Sequence, residues 1–184
     1  MNPILIIGPA VEPVPLDEMR AFLRLDDAAE DELVAALVRA ARQSVEAASG
    51  RRLMAQTWRL ALDRWPVHGI VRLPLSPLIA IEEIRVFDAA GLPAIVAPAL
   101  YRVDAASDPP RILVDPAVPI PERSLHGIEL DMSVGYGAAA DAVPAPLRQA
   151  VRMLAARWFE HRGDEPNAPP DILALVAPFR RARI

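Results

Sequence analysis

The sequence contains no cysteine and no lysine, and aromatic residues make up only 5% of it. Without cysteine the chain has no disulfide, no zinc ribbon and no thiol nucleophile, and it fits a reducing compartment. No apolar run approaches the ~20 residues that span a bilayer. The apolar run at residues 4–7 is too short for a secretion signal and lacks its basic flank. These absences predict a soluble protein that is not exported and has no membrane partner.

Positive charge is carried by arginine alone, with 20 arginines against 24 acidic residues. The formal net charge of −4 argues against a dedicated nucleic-acid binder, whose affinity depends on a cationic surface. The 184 residues suffice for one domain, or for one domain with a sizeable insertion, and the 53% of apolar residues can supply a core.

The longest periodic stretch, residues 27–50, predicts an amphipathic helix. Its leucine, valine and alanine residues recur within an arc of about 140° when each residue turns by roughly 100°. Arg39, Arg42, Gln43 and Glu46 lie outside that arc. The spacing therefore predicts one buried face and one solvated face, with these four residues on the solvated one.

The sequence marks both the start and the end of this helix. Asp27 is the predicted N-cap, with Glu30 three residues on as in a capping box, and Gly50 can take the left-handed conformation that ends a helix. The acidic cluster at residues 26–32 has a second reading as a metal or partner site. Helix capping is the preferred interpretation, because negative charge suits the positive end of the helix dipole.

Two further helices are predicted. Residues 16–25 place leucine, methionine and phenylalanine on one side. A C-terminal helix begins at Pro144 and Pro146, where a missing N–H costs nothing, and ends at Gly163. Its apolar stripe comprises Leu147, Val151, Leu154, Ala155 and Trp158.

Between these helices the period changes to two. Residues 57–63 and 128–134 alternate most clearly between apolar and polar side chains, which is typical of half-buried strands. Shorter strands are predicted at 70–73, 81–87, 92–96, 101–103 and 111–114. Several short strands at this spacing predict a small antiparallel sheet, a sandwich or an open barrel.

The predicted fold class is therefore α+β, a helical bundle with an inserted small antiparallel β domain. We expect an extended N-terminal arm at 1–15, a helical core at 16–56 and 142–163, and a β insertion at 57–141. Residues 164–184 are read as a Pro-rich linker followed by a docking tail.

No catalytic or metal-binding motif emerges. His68, His126 and His161 have no carboxylate or second histidine at ligand spacing, so each is read as a surface or loop residue. The Glu82–Glu83 pair has no opposing carboxyl group for acid–base work and is read as a solvated strand edge. We expect no cofactor and no metal.

The basic C-terminal tail has two readings of equal weight. It combines arginine with apolar anchors: Phe179, Arg180, Arg181, Arg183 and Ile184. One reading is a frayed and solvated terminus. The other is a peptide that becomes ordered on a partner, because arginine and aromatic residues carry much of the energy of interfaces.

A set of stretches in fixed order resembles the connector (adaptor) family that joins head to tail in long-tailed phages and gene transfer agents. They run from about residue 16 to residue 162: 16–26 (LDEMRAFLRLD), 31–33 (DEL), 40–46 (AARQSVE), 50–58 (GRRLMAQTW), 73–78 (LPLSPL), 88–91 (DAAG), 101–104 (YRVD), 135–137 (GYG), 143–150 (VPAPLRQA) and 158–162 (WFEHR). Each piece is weak by itself, and the ordered set carries the resemblance.

The resemblance implies a structural protein of the particle neck, assembled in the bacterial cytoplasm, and not an enzyme. Such adaptors form a ring, dodecameric in the family, on the portal protein. The ring extends the DNA channel without sequence-specific binding and joins the capsid to a neck or tail-completion protein, such as a stopper or tail terminator. We expect the five tail residues to dock into the portal. A small hydrolase and a DNA-binding accessory protein are the alternatives.

Overall fold

The computed structural model describes residues 2–161 and 169–180 and confirms the α+β class. Its helices and strands follow in the order β1 (Ile4–Ile7), α1 (Leu16–Leu23), α2 (Asp31–Ser49), β2 (Gln56–Leu62), β3 (Ile70–Arg72), β4 (Leu78–Phe87), β5 (Pro93–Ile95), β6 (Tyr101–Asp104), β7 (Arg111–Val114), β8 (Ile128–Val134), α3 (Ala145–Glu160) and α4 (Pro170–Val176). Within the described residues, no helix has the length and apolarity needed to cross a bilayer.

The chain divides into two compact units. The helical unit contains Pro9–Met54 and the chain from Tyr136 onward, and the β unit contains β1 and Ala55–Gly135. The sequence analysis groups residues 1–15 as one arm, whereas in the structure these residues are shared between the units. Strand β1 pairs antiparallel with β2 and so satisfies backbone groups at that sheet edge, while Val14 is buried in the helical core.

In the helical unit, α2 and α3 pack their apolar faces together. Val34, Val38, Ala41 and Val45 of α2 belong to the same buried cluster as the predicted stripe of α3. Helix α1 contacts α3 through Glu18, whose Oε2 lies 2.7 Å from Arg148 Nη2. The first and third helices therefore meet, through apolar packing with α2 and through this ion pair.

The long helix begins later than predicted, at Asp31, and its N-cap lies three residues after the predicted one. Asp27 Oδ1 accepts a hydrogen bond from the Ala29 N–H at 3.0 Å, which closes a local turn and does not cap the helix. Glu30 is the N-cap, and its carbonyl accepts the first helical hydrogen bond, from the Val34 N–H. The predicted stop is confirmed, because Gly50 has φ 71° and donates its N–H to the Glu46 carbonyl.

The second difference in α2 concerns its solvated face. Arg42 and Glu46, predicted to face solvent, are only 5% and 3% exposed. Arg39 and Gln43 of that face are exposed as predicted, whereas segments before and after the helix cover Arg42 and Glu46 and supply partners of opposite charge, Glu12 and Arg52. Helical periodicity places a residue on a face, but it does not show which other segments cover that face.

The β unit has two antiparallel sheets, which is closest to the sandwich among the three alternatives. The five-stranded sheet has the order β1-β2-β8-β4-β5, and the three-stranded sheet has the order β3-β7-β6. Both sheets contribute to one buried apolar cluster, in which Leu60, Ile84, Ile112 and Leu130 are at most 1% exposed. The alternation in β8 is confirmed, since all its apolar positions point into this core.

Candidate docking site at the C-terminal helix

The described C-terminal segment is a short helix that packs on the helical unit. Pro169 and Pro170 begin α4, where proline is tolerated because the first N–H groups have no helical partner. Ile172 and Val176 are buried in the same cluster as α2 and α3. This part of the expected linker and tail is therefore an integral part of the helical core.

Phe179 ends this packed segment. It lies in a turn of 3-10 helix, packs partly buried against the helical core, and accepts a hydrogen bond on its carbonyl from Arg51 Nε at 3.0 Å. Arg180, the next residue, is exposed with an extended backbone. Arg181, Arg183 and Ile184 lie outside the described residues. Docking of these five residues to a partner stays a prediction; of the five, the structure describes only Phe179, which rests on the helical core, and Arg180, which is exposed.

Arg51 is held in place by the C-terminal end of α2. Its N–H donates to Ser49 Oγ at 3.1 Å, directly after the left-handed turn at Gly50. The next residue, Arg52, lies with its Nη1 3.2 Å from Glu46 Oε2. The helix end thus orients Arg51 toward the C-terminal segment and Arg52 toward the buried face of α2.

Glu46 is the centre of a buried charge cluster that the sequence analysis missed. Its carboxylate accepts the Leu53 N–H at 2.9 Å and contacts Arg42 Nη1 at 3.3 Å, and Arg42 Nε donates to Glu12 at 2.7 Å. Burial by itself would lower the pKa of Arg42, but the hydrogen bond that Arg42 donates to Glu12 and the charge of Glu46 raise this pKa overall. The spacing of Arg42 and Glu46, four residues apart on a helix, is the only sequence signal of this cluster.

A second charge cluster lies on the outward face of the five-stranded sheet. Asp131 of β8 accepts two hydrogen bonds from Arg59 of β2, at 2.7 and 2.9 Å, and a third from Arg85 of β4. Glu129 also contacts Arg59, at 3.1 Å. Burial would raise the pKa of Asp131, but the two arginines outweigh burial and hold this pKa below its usual value. The arrangement ties three neighbouring strands together.

Replacing Asp131 with asparagine is expected to lower the free energy of unfolding near pH 7 by about 1–3 kcal/mol, because charged hydrogen bonds are lost. The folded pKa lies below the unfolded value of about 3.9, so the carboxylate's contribution is complete above that pH and is lost as the pH falls through the folded pKa. Urea unfolding of the original and the Asp131→Asn proteins between pH 7 and pH 2 measures the difference in their free energy of unfolding. This difference should narrow below about pH 4. The exposed Glu82→Gln variant serves as the control, and a difference that does not change with pH would contradict a stabilising role for the Asp131 carboxylate.

The residues considered for catalysis are not brought together. His68 borders a groove of about 550 Å³ in the β unit, whereas His126 is in a loop of that unit and His161 follows the last helical residue of α3. Among the described residues, no group of histidine and acidic side chains has the geometry of a metal site. The lowered pKa of Asp131 is opposite in direction to that of a carboxyl group acting as a general acid near neutral pH.

Comparisons with known proteins place this geometry in a family. The sequence profile of the phage gp6-like head-tail connector proteins matches residues 14–88, which include both N-terminal helices and the first three strands of the core. No protein of curated function matches the chain.

Three solved structures resemble the chain over nearly its whole length, each at 31% sequence identity. One comes from the neck of an empty gene transfer agent (GTA) particle computed with C6 symmetry; its TM-score is 0.85, and the match covers 100% of this chain and 97% of that one. Another comes from the virion of a native GTA particle, with a TM-score of 0.86 and the same coverage. A third comes from the neck of a native GTA particle computed with C12 symmetry, with a TM-score of 0.74 and coverage of 98% and 97%.

These matches extend across the helical unit and the β unit alike, including the parts of the chain beyond the family profile. Identity and coverage at this level determine the family and not the fold alone. The chain belongs to the head–tail connector proteins of phages and gene transfer agents, which are structural proteins of the particle.

Proposed function

We propose that this connector forms a ring of twelve copies on the tail-facing side of the portal protein, in the neck of a phage-like particle. The ring extends the DNA channel and presents a surface to the next neck or tail-completion protein, a stopper or a tail terminator. The observation that carries the proposal is the full-length similarity to chains from the necks of GTA particles, computed with C6 and C12 symmetry.

The two-unit construction of the chain suits such a ring. Identical head-to-tail contacts close into a ring only if each copy offers two different faces. The helical unit and the β unit are separate compact units, each built around its own apolar core. A single copy can therefore bind one neighbour through one unit and the other neighbour through the other.

Reconstitution with the portal protein of the same particle tests the proposal. The two proteins are mixed, and the complex is examined by native mass spectrometry and by electron microscopy with no symmetry imposed. We expect twelve copies of this chain in a ring coaxial with the portal. A chain that stays monomeric with portal present, or that binds it without closing a ring, would overturn the proposal.

We further propose that the C-terminal segment from Phe179 to Ile184 docks into the portal. Its support is that Arg180 leaves the helical core in an extended conformation, with arginine and isoleucine following it in the sequence. Twelve copies of a modest contact would hold the ring firmly, because linked contacts multiply affinity. The tail acts as a tether, and the body of the ring carries the neighbour contacts.

Deleting residues 180–184 is expected to weaken portal binding by about tenfold or more, since arginine and apolar anchors carry much interface energy. The truncation leaves Ile172, Val176 and Phe179 in place, so the thermal midpoint should stay within about 2 °C of the full-length value, as for changes to exposed surface residues. Binding is measured by interferometry on immobilised portal, with Arg64→Ala, an exposed arginine of the β unit, as the control. Undiminished binding of the truncated chain would exclude this role.

We infer that the chain acts by assembly and not by catalysis, and that DNA crosses the ring without base recognition. The net charge of −4 supports this inference. So do two carboxyl groups whose pKa is lowered, Asp104 by hydrogen bonds from Ser107 and Arg111, and Asp131 by Arg59 and Arg85 against the effect of burial. A gel-shift experiment with free duplex DNA distinguishes the connector function from that of a DNA-binding accessory protein. Tight binding that falls steeply with salt would favour the accessory protein.

A further inference from the structure

The outward face of the three-stranded sheet is rich in arginine. Cross-strand pairing places Arg72, Arg111 and Asp104 in one row and Ile70, Leu113 and Arg102 in the adjacent row of that face. Ile70 and Leu113 are 39% and 44% exposed, although both are large aliphatic side chains. Three arginines and one aspartate thus surround a small apolar centre, in a chain whose net charge is negative.

The positive charge of this face is only partly neutralised by the residues that the structure describes, through the ion pair between Arg111 and Asp104. The Asp104 carboxylate accepts two hydrogen bonds from nearby residues, one from Ser107 Oγ at 2.6 Å and one from Arg111 Nε at 2.9 Å. Arg72 stands directly opposite Arg111, and like charges in that position destabilise a sheet. Within residues 2–161 and 169–180, neither Arg72 nor Arg102 forms an ion pair.

The face also has the anatomy of an interface. A shallow groove of about 310 Å³ runs over it and is lined by apolar and arginine side chains together. Protein interfaces combine an apolar centre with arginine at high frequency. Duplex DNA would satisfy the arginines but would leave Ile70 and Leu113 uncovered, so the observations favour a protein partner that is acidic and carries apolar side chains.

The α1–α2 turn of another copy of this chain matches that description. Asp26, Asp27 and Glu32 are exposed there, and Leu33 beside them is 36% exposed. Asp26 and Glu32 form no ion pair within the described part of the chain. Glu30 acts as the N-cap of α2, whereas Asp26 and Glu32 point outward and are available to a charged partner.

We propose that in the ring the arginine face of one copy binds the acidic α1–α2 turn of the next copy. This contact rests on the proposed ring, and it joins the β unit of one subunit to the helical unit of its neighbour. Because the two surfaces differ and complement each other in charge, the contact is head-to-tail and repeats around the ring.

Charge exchange tests the contact. The first variant carries Arg72→Glu and Arg102→Glu, the second carries Asp26→Arg and Glu32→Arg, and the third carries all four changes. Each reversal replaces attraction by repulsion at every subunit contact, so each of the first two variants should reduce the yield of rings on portal by about tenfold or more. The fourfold variant should recover most of the yield, because opposite charges again face each other.

The changed side chains are exposed and form no ion pairs within the described residues, so the variants should fold. Circular dichroism of each isolated chain verifies this, and Arg64→Glu is the matched control for an exposed arginine outside the face. Rings of undiminished yield in either reversed variant, or no recovery in the fourfold variant, would overturn the contact while the proposed function stands. If the reversed variants lost duplex binding but still formed rings, the face would bind DNA, and this result would also overturn the contact. Failure of the unmodified chain to form rings would overturn the proposed function together with this contact.

Discussion

Replacing Glu46 with alanine is expected to lower the free energy of unfolding by about 3–5 kcal/mol, the cost of removing one partner from a buried ion pair. Glu46 is 3% exposed, and its carboxylate contacts two arginines and one backbone N–H. Its removal leaves Arg42 buried beside Glu12 alone and leaves the Leu53 N–H without its acceptor. The loss exceeds that of a surface ion pair, which contributes about 0–1 kcal/mol.

Chemical unfolding followed by circular dichroism measures this loss, and amide exchange locates it. The Leu53 amide should exchange faster in the variant, because its hydrogen bond is gone. Glu46→Gln keeps the shape of the side chain and one acceptor oxygen, so its stability should lie between that of the original protein and that of Glu46→Ala. Glu32→Ala, at an exposed position of the same helix, is the control and should change stability by no more than about 0.5 kcal/mol. An equally small effect of Glu46→Ala would contradict a structural role for the buried cluster.

Replacing Leu154 with alanine is expected to cost about 2–5 kcal/mol, the range for a large-to-small change in a close-packed core. Leu154 is 0% exposed and lies in the cluster that joins α2, α3 and α4. Its loss opens a cavity among side chains that hold the C-terminal segment, including Ile172 and Val176. Under the proposed docking of the C-terminal segment, portal binding should weaken together with stability, because α4 precedes that segment.

The thermal midpoint and the urea midpoint of the Leu154→Ala protein measure the cost, and Leu154→Met tests whether volume is the cause. The methionine variant should lose less than about 1.5 kcal/mol, as volume-conserving core changes do. Leu33→Ala, at a leucine that is 36% exposed, provides the surface control. A Leu154→Ala protein as stable as the control would show that α3 does not bury this side chain.

The elements of regular structure could be read from the chain because their signals are local. The alternation in β8 and the apolar stripe of α3 correspond to buried faces in the structure, and Gly50 ends α2 in the left-handed conformation. The predicted N-cap of α2, Asp27, lies three residues before the observed one, Glu30, because an aspartate that closes a turn has the same local sequence as one that caps a helix. The ordered family stretches identified the connector where no single motif did.

The candidate docking surfaces depend on contacts between distant residues. Glu12 meets Arg42 across 30 positions, and Arg51 meets the Phe179 carbonyl across 128. The arginine face exists only because β3, β6 and β7 pair in one register and bring Arg72 opposite Arg111. The spacing of these residues along the chain does not predict these contacts.

By itself, the sequence determined the helices, the strands, the lack of thiol chemistry and the family, since these follow from composition, periodicity and ordered short stretches. Only the tertiary structure decided that Arg42 and Glu46 are buried, that β1 pairs at a sheet edge, and that Phe179 rests on the helical core. The physical reason is that burial and pairing depend on which distant segment covers a surface. Periodicity records which way a side chain points, and not what it meets there.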